Sequence, residues 1–294
     1  MHIKYHFMEP GEDIMLVRMS HDGPKTQTIH IVITIREKDL RELVHNIDLK
    51  TSLLDFDGTF TRIGTVWSQD HLREEKYATG WQELRKRLPI EGHRDLDRHY
   101  GLYKDGKITP LEWIYVSVAC YQQYGLTVQD VRETAGAIPF RDGHEEFISL
   151  LNSNFVKSSI VSFGMKEWID CRNEFTDFPH ETVASSFLAD PNGKIIGVEA
   201  GVTEDTKGNA AREILARNGW GPMNAFSVGN SWHDRHLFSA AGISAYLSHG
   251  GYKGTNMNHA AEIEKLKSVA TAIIFDDSLH GVNDFLKRIV AKNF

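Results

Sequence analysis

Leu53–Arg62 reads LLDFDGTFTR: a buried-looking apolar run that ends on two carboxylates, Asp55 and Asp57, and turns at once through Gly58. Side chains two apart on an extended segment share a face, so the acids are held close together and their like charges raise the free energy. Folding alone does not ask for that arrangement. A metal ion or a reacting group between them would. A solvated turn, a helix cap or a calcium loop could also carry such a pair, so the rest of the chain has to decide.

Short apolar runs recur outward from this stretch: SLLDFD (52–57), SSIVSF (158–163), VASSFL (183–188), AFSVG (225–229), ISAYLS (243–248) and TAIIF (271–275). Helix-like segments such as GHEEFISLLNS, KGNAAREILARNG and DRHLFSAAG lie between most of them. Strands alternating with helices predict an α/β fold with a Rossmann-like, doubly wound parallel sheet, whose site is built by loops at the carboxyl ends of the strands.

One interval breaks the rhythm. Asp55 and Ser162 are 107 positions apart, whereas a βαβ unit needs only about 30 residues. An insert over 64–138 is therefore expected, read as an α-helical cap from QDHLREEKYATGWQELRKRL, TPLEWIYVSVACYQQYG and TVQDVRETAG. Thr109-Pro110 and Thr127 look like helix starts, and Gly125 and Gly136 like stops. The core is then 49–63 with 139–294. Residues 1–48 read as a small β-rich extension, in which DIMLVRMS and TIHIVITI flank the turn-like HDGPK as a hairpin and EKDLRELVHNI follows as a helix.

Three further patches sit where predicted strands end or helices begin. Ser162 closes SSIVS and leads into Phe163-Gly164, a hydroxyl and a glycine-eased turn whose backbone N–H groups can face an anion. Lys207 stands at the helix entrance in EDTKGNAAREIL, and Asn230 and Asp234 follow AFSVG four residues apart, suited to oxygen ligation of a hard cation. Taken singly, a Ser-x-Gly turn, an entrance lysine and an acidic loop are ordinary surface features.

As an ordered set, DFDGT, SFG, TKG and GNSWHD resemble the four motifs of the haloacid dehalogenase superfamily of phosphohydrolases, over a span from about Leu53 to the C-terminus. The insert's position after the first motif resembles the helical-capped branch that includes phosphoserine phosphatases and pyrimidine 5'-nucleotidases. The layout of DFDGTFTR and of TPLEW through IPFRDGHEEF looks more like the nucleotidases, since Gly64 stands near the place where phosphoserine enzymes carry an acid for the substrate amine. The resemblance implies Asp55 as nucleophile, Asp57 as general acid and base, and Ser162 and Lys207 as stabilisers of the transferring phosphoryl group. It places Gly58, Thr59, Phe163 and Gly164 around the substrate, and Mg2+ among Asp55, the Asp57 backbone carbonyl, Asn230 and Asp234. An acid at position 57 favours phosphatase over dehalogenase chemistry.

One position departs from the pattern: the family has an acid where this chain has Asn230. An amide oxygen ligates magnesium without bringing charge, and a unit pair about 4 Å apart is worth roughly 4 kcal/mol at an effective dielectric near 20. That leaves open a working enzyme, a slow one, or a protein that keeps the pocket to bind phosphorylated ligands or partner proteins; a phosphotransferase is a closer alternative. A receiver-type signalling domain would need far less chain and no cap. His233 cannot replace the acid, because imidazole is a poor magnesium ligand; with His236 it reads as a surface residue.

Specificity is expected in the insert. Trp81, Tyr100, Tyr103, Trp113, Tyr115, Tyr121 and Tyr124 offer flat surfaces for a base, although their helical spacing also suits a core. Arg62 and Arg141, where the chain leaves and re-enters the core, could reach an anionic substrate or simply face solvent. The formal charge of −7 argues against nucleic acid and anionic membrane as partners. Two cysteines without ligand spacing suit a reducing compartment, and no apolar signal core or membrane-length window is seen, so a cytoplasmic protein acting on a small phosphorylated metabolite is expected.

Overall fold

The computed structural model describes residues 3–6, 14–19, 28–33, 37–67, 74–77, 79–248 and 257–292. The N-terminal part contains β1 (Ile3–His6), β2 (Ile14–Met19), β3 (Thr28–Ile33) and α1 (Glu37–Asn46), which leads into β4 (Thr51–Leu54). The insert follows as β5 (Gly64–Trp67), β6 (Glu74–Tyr77), α2 (Gly80–Arg85), α3 (Ile90–Lys104), α4 (Pro110–Gln123) and α5 (Val128–Ala137). After it come α6 (His144–Ser153), β7 (Lys157–Met165), α7 (Lys166–Asp170), β8 (His180–Ala189), β9 (Ile195–Glu199) and α8 (Lys207–Arg217). The chain ends with β10 (Ala225–Gly229), α9 (Arg235–Phe238), β11 (Ile243–Ser248), α10 (Met257–Leu266), β12 (Ala272–Phe275) and α11 (His280–Ala291).

Ten strands form one sheet in the order β1-β2-β3-β12-β11-β10-β4-β7-β8-β9. The six from β12 to β8 run parallel, and antiparallel strands close both margins. β4, β10, β11 and β12 are buried along their whole length, as parallel strands covered on both faces must be. Register fixes the site's floor. Leu54 is level with Val228 on one side and Ile160 on the other, so Asp55, Gly229-Asn230 and Val161-Ser162 leave the sheet side by side. From β4 the chain continues to β7 on one flank and returns to β10 on the other, which makes this carboxyl edge the topological switch point.

In the insert, Thr109 and Thr127 cap α4 and α5 as their sequence predicts, each accepting from the backbone N–H three residues on. Gly125 turns the chain with φ +74. Two expectations need correction. The segment 69–88 is helical only over α2; its EEKY part is strand β6, paired with β5, because Gly64–Trp67 supplies an antiparallel partner, while residues 69–73 lie outside the described residues. Gly136 lies inside α5 rather than ending it, and α3 carries no strong start signal beyond Pro89 at its N-cap. The N-terminal hairpin is present as β2 and β3, as the sequence suggests, its HDGPK turn lying outside the described residues; β3 pairs with β12 and so extends the main sheet.

One contiguous apolar core runs from Leu54, Phe60 and Ile160 into Leu84, Leu96, Ile114, Val118, Tyr121 and Val131 of the insert. The α4–α5 connection is tied to the β8–β9 turn by Val128 N–H donating to Gly193 O and Ile195 N–H to Leu126 O. Trp113 and Tyr121 are core residues. Both cysteines are free, and no helix among the described residues is long and apolar enough to cross a membrane.

Candidate active site

The end of β4 delivers Asp55 into a buried position, 5% exposed, with its N–H on Val228 O. Gly58 then takes φ +81 and donates its N–H to Thr61 Oγ1 at 2.9 Å. Only glycine fits, because a Cβ here would stand 2.4 Å from Asn230 Nδ2 as well as adopting a left-handed conformation. The turn brings Thr59 Oγ1 to 3.0 Å from Asp55 Oδ2 and 3.1 Å from Asn230 Oδ1, so these two oxygens converge on one hydroxyl across 175 residues of chain.

Lys207, first residue of α8, is buried with its ammonium between two carboxylates: Nζ lies 2.5 Å from Asp55 Oδ1 and 2.6 Å from Asp234 Oδ1. The other oxygen of Asp234 accepts from Asn230 N–H, Ser231 N–H and Ser231 Oγ at 3.0 to 3.1 Å. Asp234 therefore holds Lys207 and shapes its own loop. Burial raises the pKa of Asp55 to about 6, with Asp234 adding and Lys207 and Thr59 opposing. Burial also raises Asp57 to about 7, reinforced by the neighbouring Asp55 charge. Burial alone would lower Lys207, yet Asp234 and Asp55 together hold it above its ordinary value. The result is a proton-bearing carboxyl two residues from a carboxylate fixed by an ammonium.

Ser162 sits on β7, 1% exposed, its Oγ accepting from Gly164 N–H at 2.9 Å. Hydrogen bonds unite Asp55, Thr59, Lys207, Asn230 and Asp234; Ser162 joins them through strand register. A Cβ at Gly164 would lie 2.5 Å from Trp168 Nε1, and one at Gly80 would lie 2.9 Å from the same indole, so Trp168 is wedged between the Ser162 turn and the start of α2. That wedge sets Gly80 N–H 3.3 Å from Asp57 Oδ1, a contact from insert to acid that the sequence did not signal. Phe163 faces Trp81 of α2, ring centroids 6.4 Å apart.

Arg62 and Arg141 both make contacts within the protein. Arg141 is buried, donating from Nε to Gly58 O at 2.9 Å and from Nη1 to Asp276 O, while Arg62 pairs with Asp142 and donates to Phe140 O. With the Thr61–Phe140 bridge they zip the outgoing and returning linkers together and brace the Asp57-Gly58 turn. Arg172, unmarked in sequence, caps the end of α5 through Ala135 O and Ile138 O. His233 is half exposed and pairs with Glu204, which also accepts from Tyr103 of α3; neither partner was expected.

No three His, Cys, Asp or Glu side chains converge as a metal cluster among the described residues. The donors that do converge, Asp55 Oδ2 and Asn230 Oδ1, are both oxygens. Such a set fits a hard cation that keeps water and substrate oxygens in its remaining positions. Only one of these two donors carries charge.

No protein-family model matches the sequence, and no curated protein matches it. Solved structures share its fold. A phospho-aspartyl intermediate analogue of phosphoserine phosphatase superposes with a TM-score of 0.57 at 19% identity, covering 81% of this chain and 98% of that one. Cytosolic 5'-nucleotidase IIIB bound to cytidine gives 0.59 at 15%, covering 87% and 90%. A probable phosphoserine phosphatase from Vibrio cholerae, unliganded, gives 0.59 at 13%, covering 85% and 68%. The chain thus shares the fold of these proteins, a mostly parallel Rossmann-like sheet flanked by helices.

Proposed function

We propose that this chain is a magnesium-dependent phosphomonoester hydrolase that works through an aspartyl-phosphate, with residues 49–63 and 139–294 as core, 64–138 as cap and 1–48 as extension. The observation that carries the reading is the buried Lys207 ammonium bridging Asp55 and Asp234, with a second acid, Asp57, kept protonated near neutrality. A carboxylate fixed by Lys207 and Thr59 is oriented to attack phosphorus. As the P–O bond to the leaving group breaks, Asp57 gives its proton to that oxygen and becomes the base for the water that later attacks the acyl phosphate. Hydrolysis returns the Asp55 carboxylate, releases phosphate and restores the proton on Asp57. The Ser162 hydroxyl and Lys207 offset charge on the phosphoryl oxygens. Magnesium would be held by Asp55, the Asp57 carbonyl and Asn230, but not directly by the expected Asp234, whose oxygens are engaged by Lys207 and by the Asn230-Ser231 turn; it would supply further positive charge at the phosphoryl group.

A small phosphorylated metabolite with a flat, nucleoside-like leaving group suits the site best. Trp81 follows directly on Gly80, whose N–H touches the leaving-group acid, and its ring lies beside Phe163. A second reading, binding of phosphorylated ligands or partners without turnover, draws on Asn230 and on the N-terminal extension. A phosphate-release screen over a metabolite panel, with and without divalent metal, separates the two. Release that Asp55→Asn abolishes is expected; silence across the panel with millimolar Mg2+ or Mn2+ would overturn the proposal. Transfer to an added alcohol acceptor would show a phosphotransferase instead.

A further inference from the structure

Tyr103, on the last turn of α3, donates its hydroxyl to Glu204 Oε1 at 2.6 Å. The other oxygen of Glu204 lies within ion-pair range of His233 Nδ1, without hydrogen-bond geometry between them. Glu204 lies three residues before Lys207, and His233 immediately before Asp234. One carboxylate thereby connects the cap to both loops that complete the acid–lysine centre. It is not a casual surface contact: the Glu204 side chain is 13% exposed, and the Tyr103 ring is stacked on Trp113 of α4 at 5.8 Å and 19°, so the hydroxyl's position is set by the packing of α3 on α4.

Stability does not explain such a group. A buried carboxylate contributes little net energy even when paired, whereas removing one partner leaves it stranded. What it supplies is position. Its contacts cross between elements rather than within one, from α3 to the loop before α8 and on to the loop after β10. Another polar contact of the insert with the centre, Gly80 N–H on Asp57, is a longer bond at 3.3 Å.

We infer that Glu204 is a positioning residue, the latch by which Tyr103 of the cap and His233 of the last motif hold the cap down over Lys207 and Asp234, and whose release opens the way for ligand and product. The latch rests on the phosphatase reading only for the identity of what passes beneath the cap. Its own test needs no substrate. Hydrogen exchange on the full chain should show the amides of α3 exchanging about 10–100-fold faster in Tyr103→Phe, the cost of losing a hydrogen bond to a charged acceptor, while β4 and β10 keep wild-type protection. Glu204→Gln, which can still accept from Tyr103, should fall between the two. Wild-type exchange of α3 in both Tyr103→Phe and Glu204→Ala overturns the latch. So does uniform loss of protection throughout the sheet, which would mark Glu204 as a fold residue. With an ester found to turn over, Tyr103→Phe should raise KM about fivefold or more while kcat changes less; equal losses in kcat and kcat/KM count against it. Faster exchange without turnover of any ester would remove the phosphatase reading and leave the latch standing.

Discussion

Replacing Asp57 with Asn should stabilise the fold, and the gain should grow with pH. In the folded chain burial and the Asp55 charge raise the Asp57 pKa from 3.8 to about 7, so ionising it inside costs more than ionising it in the unfolded chain. Between these two values the native state binds the extra proton, and stability falls as pH rises. The stability due to the neutral acid is fully present below pH 3.8 and lost by the time pH passes 7. A rise of about 3 pH units at 1.36 kcal/mol each sets an upper bound of about 4 kcal/mol for the penalty that the wild type bears at pH 8. At pH 5 the penalty is about 2 kcal/mol, because that pH lies only about one unit above the pKa of the unfolded chain. Asparagine, nearly the same size and never charged, removes it. Urea unfolding in a chelating buffer, which keeps divalent metal from favouring the anion, should therefore give Asp57→Asn an advantage that increases by about 2–3 kcal/mol from pH 5 to pH 8, or roughly 4–8 °C in Tm at the upper end. A variant no more stable than wild type at pH 8, or a difference that ignores pH, would refute the claim that this carboxyl enters the reaction protonated.

Two more substitutions probe the same centre from its other sides. Lys207→Met strands Asp55 and Asp234 as buried carboxylates that have lost their shared ammonium, and chemical unfolding at pH 7.5 should show a loss of about 3–5 kcal/mol, shrinking on acidification as the acids take up protons. Gly58→Ala forces φ +81 on an L side chain and drives a methyl to 2.4 Å from Asn230 Nδ2 and 2.7 Å from Ile63 Cδ1; a loss of about 2 kcal/mol or more in unfolding free energy, together with lost phosphate release, is expected.

The parallel half of the sheet was readable because its strands are buried on both faces. β4, β10, β11 and β12 each give a short run of apolar residues and small hydroxyl side chains with no charge inside it, and the polar residue that ends it, Asp55 after Leu54 or Asn230 after Gly229, marks the carboxyl edge. Thr109 and Thr127 were readable because capping is local. The strand Glu74–Tyr77 was not: EEKY has helix-forming composition, and its state is decided by pairing with Gly64–Trp67. Arg141 was equally opaque. An arginine at a linker looks solvated until the fold carries it to the carbonyl of Gly58, 83 residues away, and nothing in its neighbours announces that meeting. The same holds for Glu204, whose partners come from α3 and from the loop after β10.

The strand order also limits where selectivity can arise. β3 is separated from β4 by β12, β11 and β10, and four steps of about 4.8 Å put it roughly 19 Å from the strand that carries Asp55. Strands β1 to β3 therefore extend the sheet away from the switch point, and their paired backbones cannot line the acid–lysine centre. On the opposite flank, β7 and β8 lie one and two steps from β4, with α2 to α5 packed over them and tied to the β8–β9 turn. On the proposed function, whatever distinguishes one phosphate ester from another would be presented by that flank and by the insert, where Trp81, Phe163 and Trp168 border the bond from the Gly80 amide to Asp57.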